Sequence, residues 1–217
     1  MKNLLIKELR LAASPLSYFF IASALLSFIP GYPILLGAFF TTLGIFYSFQ
    51  TTRENNDIAY SLLLPVAKSD VVRSKFAFTV CIELCSFCVM AAVTLIRMTV
   101  MKDAPAYVSN ALMCANLTFL GFALLIFGLF NLCFVRGFFR TAWYFGKPFI
   151  LYCVVSMLVI GIAETLHHLP GLGELNAFGF DHVGPQAAVF AAGLAAFALL
   201  TCAAVRGSVR SFEKTDL

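Results

Sequence analysis

Glu83 is an acid set inside a long apolar run, about two helical turns or roughly 12 Å from Lys75. Charges at membrane depth are costly and face a bundle interior or a wet cavity. Two readings stay open for it: a cavity residue that attracts a cationic substrate or pairs with a base such as Arg136, and a structural polar pin. Cys81, Cys85 and Cys88 share a helical face at i, i+4 and i+7, a spacing that could serve a thiolate metal site. No histidine lies among them and Glu83 falls on another face. Cysteine also packs as a small apolar residue, which is the stronger reading. Glu164, His167, His168, Asp181 and His182 form a second set of zinc-type ligands. Leu169-Pro170-Gly171-Leu172-Gly173 interrupts it, so a solvated rim or gate is the better expectation. No metal site is assigned. Catalysis needs an acid, a base or a metal set converging at one depth. These groups do not supply one, so a membrane-embedded enzyme is disfavoured. Asn116-Leu117-Thr118 matches a glycosylation pattern, but it lies in an apolar run and reads as coincidence.

The elements that carry these residues are membrane helices. The chain is 61% hydrophobic and 12% charged, with a mean hydropathy of +0.91. Soluble domains carry roughly a quarter charged residues, so there is too little charge here for a polar shell. The runs are continuously apolar rather than alternating, which selects helices over a strand barrel. No charge lies between Arg10 and Arg53, and Pro30-Gly31-Tyr32-Pro33 breaks that run into a hairpin of two spans, 16–29 and 33–49. Further spans are expected at 75–96, 111–134, 148–164 and 184–205. A crossing helix needs about 20 residues, so the first span must borrow from its flanks. The fold class is all-α integral membrane, one domain of six transmembrane helices.

Basic residues orient it. With six spans, one side holds Lys2, Lys7, Arg10, Arg53, Lys68, Arg73, Lys75, Arg136, Arg140, Lys147, Arg206, Arg210 and Lys214; the other holds Arg97 and Lys102. Positive loops stay inside, so both termini are expected in the cytoplasm. The net charge of +4 is an orientation signal and implies no nucleic-acid partner. Residues 1–13, MKNLLIKELRLAA, interleave Leu4, Leu5, Ile6, Leu9 and Leu11 with Lys2, Lys7, Glu8 and Arg10. They suit an amphipathic helix in the headgroup plane, bases toward anionic lipid.

One dense polar insertion, ENNDIAYSLLLPVAKSD, separates the second and third spans. Asn56 is a candidate N-cap, and Asp57 suits the positive end of a helix. Ile58, Tyr60, Leu62, Leu63 and Leu64 give about two turns with an apolar side, and Pro65 ends them. Ser69 can cap the next helix. So short a helix needs support. Either the membrane domain and lipid surface, or a groove on a soluble partner, covers its apolar side.

This order of parts resembles an ABC-2 type transporter permease: a basic amphipathic N-terminal helix, an apolar hairpin, TTRENNDIAYSLLLPVAKSDVVRSKF, then four more spans. The residue-level likeness centres on Arg53 to Phe76, with its polar lead, its Leu64-Pro65-Val66 and its Lys68-Ser69-Asp70. The resemblance implies that 54–65 is a coupling helix docking on a separate ABC ATPase, through Asp57, Ile58, Tyr60, Ser61, Leu62, Leu63, Leu64 and Pro65. It implies that 1–13 is an interfacial elbow helix, including Lys7 and Arg10, and makes 165–183 a candidate re-entrant external gate. It further implies a second permease copy, either a homodimer or a close paralogue, in the bacterial plasma membrane. ATP and magnesium would bind the partner subunit and no cofactor would bind this chain. The size is closest to small bacterial permeases that export peptides or confer immunity to them. The expected substrate is thus a hydrophobic or amphipathic peptide. Export of another hydrophobic compound and a non-transporting immunity or scaffold role are the alternatives. A phosphate loop needs a glycine-rich turn ending in Gly-Lys-Ser/Thr. The only Gly-Lys here, Gly146-Lys147, is followed by Pro148, and Thr141 stands five residues before it.

Overall fold

The computed structural model describes residues 2–108, 110–141 and 144–214, and these are helical throughout apart from turns and loops. Helix α1 (Lys2–Lys7) continues as a π-helical turn over Glu8–Ala12. Ser14 then caps α2 (Pro15–Phe19), its side chain accepting from the Leu16 amide at 3.3 Å, and a 3₁₀ segment carries on to Phe28. The two segments, Asn3–Ala12 and Pro15–Phe28, meet at 93°. Proline favours the first helical turn and disfavours helix in the residue before it, which places the corner here.

A tight turn with Gly31 at φ +72° leads into α3 (Leu36–Glu54). The second arm of the hairpin therefore starts at Leu36 rather than at Pro33, and runs past Phe49 to Glu54. The arms sit close enough for serine to bond across them. Ser17 Oγ donates to the Gly44 carbonyl at 2.6 Å, Ser23 Oγ donates to Gly37 at 2.9 Å, and the Ser14 amide donates to Ser48 Oγ at 2.7 Å. A Cβ on Gly44 would stand 2.7 Å from Phe20 Cβ, so only glycine permits this approach.

After α4 (Asp57–Leu62), four long elements complete the bundle: α5 (Lys68–Thr99); α7 (Leu117–Leu129), continued by a π turn at Phe130–Val135 into α8 (Arg136–Arg140); α9 (Gly146–Leu166); and α10 (Val183–Glu213). A short α6 (Pro105–Val108) precedes α7. These four are long and apolar enough to cross a membrane, and the bent N-terminal pair is a fifth candidate. α3 falls outside that group, consistent with its Thr41, Thr42, Ser48, Gln50, Thr51, Thr52 and Arg53. α5 starts at Lys68, seven residues before Lys75, with Ala67 rather than Ser69 at its cap position. The expected 111–134 span starts instead at Leu117, because the Asn116 side chain caps it.

The centre of the bundle is α7–α8. Phe119, Phe127, Phe130, Phe134, Phe138 and Phe139 are fully buried along it. Phe134 and Phe138 meet Phe49 of α3 edge-on at 5.3 and 5.0 Å, and Phe46 stacks on Phe149 of α9 at 3.9 Å. Edge and offset contacts of this kind add about 0.5–1.5 kcal/mol each beyond area burial. α7 and α10 touch backbone to backbone: a Cβ on Gly193 would lie 2.2 Å from the Gly121 carbonyl oxygen. α9 turns an apolar stripe outward, as lipid contact requires: Leu151, Val154, Leu158 and Ile162 are all more than half exposed.

Candidate functional site

Helix α4 is six residues long and could not persist alone. Asn56 sits at its start with φ +51°, a left-handed conformation that asparagine tolerates. Its side chain makes no capping bond there. That bend separates α4 from α3, so the expected 54–65 helix is shorter, with Glu54 belonging to α3 and Pro65 following the last turn.

Buried charge holds α4 in place. Asp57 meets Lys7 Nζ at 2.6 Å and Lys75 Nζ at 3.3 Å. Lys75 pairs with Glu8 at 2.5 Å and donates to Thr52 Oγ1 at 2.7 Å. Lys7 donates to Ser61 Oγ at 2.6 Å and lies 3.5 Å from Glu8. Glu8 and Lys75 are only 2% and 3% exposed. Two cations and two anions thus join α1, α3, α4 and α5. Truncating one partner of such a buried pair strands a charge and costs about 3–5 kcal/mol. Lys7 therefore points into the protein rather than toward anionic lipid, because two carboxylates face it. Arg10 is exposed, free to meet a surface.

The expected docking residues divide into two faces. Asp57 is engaged in the cluster, and Ile58 and Ser61 are buried. Leu62 is half-buried against the core. Tyr60, Leu63 and Leu64 are 66%, 82% and 51% exposed, and Pro65 is exposed beside them. α4 and the turn that follows it thus present an aromatic and two leucines outward. Exposed apolar groups of this size, rimmed by polar residues, mark interaction surfaces.

Within the bundle, Glu83 is fully buried. Asn131, on the π turn after α7, donates to Glu83 Oε2 at 3.0 Å and to Thr201 Oγ1 of α10 at 3.1 Å. Glu83 thus joins three helices through an amide. The pairing with Arg136 is not formed: Arg136 lies over Gly207, where its Nε would be 2.6 Å from an added Cβ. Cys85 and Cys88 point outward from α5, away from Glu83.

The family model described as "ABC-2 family transporter protein" matches residues 3–213. The chain belongs to the ABC-2 transporter family. Searches of curated proteins and of solved structures give no match. This ABC-2 protein is therefore a multi-pass membrane component of an ABC transporter, and the family works with an ABC ATPase.

At the end of the ABC-2 bundle away from α4, side-chain amides make most of the bonds that close the loops, with Glu164 beside them. The Asn176 side chain accepts from the Cys114 amide at 2.7 Å and donates to the Leu112 carbonyl at 3.3 Å. Asn116 Nδ2 donates to the Leu175 and Ala177 carbonyls at 2.9 and 3.2 Å, and its Oδ1 caps α7 through Phe119 at 3.1 Å. Gln186 Nε2 donates to the Ala177 carbonyl at 3.0 Å. Glu164 accepts from the Met113 amide at 2.8 Å. His167 lies 3.2 Å from the Ala111 carbonyl, and His182 lies 3.5 Å from Glu174. Among the described residues no three His, Cys, Asp or Glu side chains gather as a ligand set. The stretch 165–183 contains a short 3₁₀ turn, Gly173–Asn176, between the end of α9 and the start of α10.

Sequence reasoning missed Glu8, Lys75 and Asn131 as partners. A signal for Glu8 was present: it follows Leu4 by four and precedes Ala12 by four, and both of those are buried. An acid on that stripe needs a cation. Asn131 carried no such signal, because its partners are 48 and 70 residues away.

Proposed function

We propose that this protein is the membrane permease of an ATP-driven exporter, with α4 as the coupling helix for a separate ABC ATPase. The observation that carries this reading is the two-sided segment of α4 and its following turn: Asp57, Ile58 and Ser61 anchored inward, Tyr60, Leu63 and Leu64 outward. A rigid anchor lets motion of a docked ATPase reach α1, α3 and α5 together. ATP and magnesium would reside on that subunit. In this reading the chain makes six crossings, with α2 and its 3₁₀ extension and α3 as a membrane hairpin and α1 as an interfacial elbow. Both termini and α4 face the cytoplasm of a bacterial cell, as the basic residues direct. Two permease copies pair and alternate a cavity between the two sides. The substrate is a hydrophobic or amphipathic peptide, a reading supported by family resemblance and by the apolar, phenylalanine-rich bundle. Glu83 has a structural role first, since three helices share it.

The test is coexpression with the cognate ATPase, followed by co-purification and measurement of stimulated ATP hydrolysis. Wild-type protein should retain the ATPase and stimulate it. Leu63→Asp with Leu64→Asp should reduce retention at least about tenfold, as loss of a central apolar anchor does. Undiminished retention would remove α4 as the docking site. Retention with no substrate movement in vesicles would favour a scaffold or immunity role.

A further inference from the structure

The basic end carries a second feature, independent of the transport reading. A cavity of about 510 Å³ opens between α8 and the start of α9. Arg136, Arg140 and Lys147 line it together with Leu132, Pro148 and Leu151. Arg136 and Arg140 are one turn apart on α8. Gly137 between them touches the α9 start: a Cβ there would lie 2.6 Å from Pro148 Cβ. That close approach brings Lys147, the neighbour of Pro148, to the two arginines. Among the described residues none of the three cations has an ion pair or a hydrogen bond. Three basic residues around one cavity whose lining holds no acid call for an anion.

The cavity also has an apolar continuation. Leu151 at its wall starts the outward stripe Leu151, Val154, Leu158, Ile162 on α9. Eleven residues of helix rise roughly 16 Å, about half of a hydrocarbon core of ~30 Å. A basic mouth with an apolar track one leaflet deep fits a molecule with an anionic head and an acyl chain. A free phosphate would satisfy the mouth and leave the track unused. We infer that this cavity holds an anionic phospholipid, its phosphate on Arg136, Arg140 and Lys147 and an acyl chain along the α9 stripe. Basic pockets between membrane helices at the cytoplasmic face bind such headgroups.

The protein would be reconstituted in nanodiscs of equal phosphatidylglycerol and phosphatidylcholine, and co-released lipid identified by native mass spectrometry. Wild type should retain phosphatidylglycerol over phosphatidylcholine. Arg140→Gln with Lys147→Gln should lower that retention about tenfold or more. Both side chains are exposed, and the single Lys147→Gln provides a milder second variant. Arg206→Gln with Arg210→Gln removes the same charge from exposed positions of α10 outside the cavity and should retain the lipid as wild type does. Equal losses in the two double variants would mean general attraction to an anionic surface and overturn the site. Displacement of the lipid by millimolar inorganic phosphate would overturn the lipid assignment in favour of a free anion.

Discussion

The two ends of the bundle are held by different chemistry: a buried cluster of paired charges at one, and mostly side-chain amides, with isolated charged groups such as Glu164 and Arg97, at the other. At the basic end, Glu8, Lys75, Asp57 and Lys7 lock α1, α4 and α5 with charge. At the far end, Asn116, Asn176 and Gln186 tie loops together through neutral amide-to-carbonyl and amide-to-amide bonds. Charge is strong but intolerant of losing a partner. Amide bonds are individually worth about 1 kcal/mol net and satisfy irregular backbone one group at a time. The basic end therefore behaves as a single rigid joint, suited to carrying force from an exposed helix. The far end is a set of separate ties, suited to sealing irregular backbone that must be protein-covered near a membrane.

The largest effect should come from the joint. Lys75→Met removes the 2.5 Å partner of the buried Glu8, leaving Lys7 alone to serve two acids, and should destabilise the protein by about 3–5 kcal/mol, read as thermal unfolding in detergent. It should also weaken ATPase retention, because α4 loses its anchor. Asn176→Ala should cost less, about 1–3 kcal/mol, by stranding the Cys114 amide and the Leu112 carbonyl, and should leave ATPase retention unchanged. If Asn176→Ala impaired retention as much as Lys75→Met, the division between the ends would collapse. A double-mutant cycle between Glu8→Gln and Lys75→Met should show a coupling of about 0.5–3 kcal/mol, whereas Asn176→Ala paired with Lys75→Met should be additive. The smallest effect belongs to Arg10→Gln, within about 0.5 kcal/mol in the same unfolding assay, since Arg10 is exposed and outside the joint.

The same contrast explains what the sequence could reveal. The four long apolar helices are visible in hydropathy because lipid imposes composition on whole segments. α4 is visible because proline and polar residues isolate it. Which way α4 turns is not, since Ile58 and Leu63 are equally apolar and only the packing of α4 on α3 and α5 distinguishes them. Lys7 and Lys75 look like boundary charges in the sequence, and local spacing does not reveal that they meet two acids. Asn116 looks like part of a span, yet it is a fully buried helix cap whose amide reaches residues 59 and 61 positions away. The hydrophobic pattern reports a residue's bulk environment and is silent on specific pairings over such distances.

Docking of the ATPase on the outward side of α4 and its following turn is tested directly by placing a photo-crosslinking amino acid at position 63 or position 58 in the coexpressed complex. An ATPase adduct is expected from position 63 and none from position 58, which is buried against the bundle. An ATPase that co-purifies with the permease but yields no adduct from position 63 would contradict it.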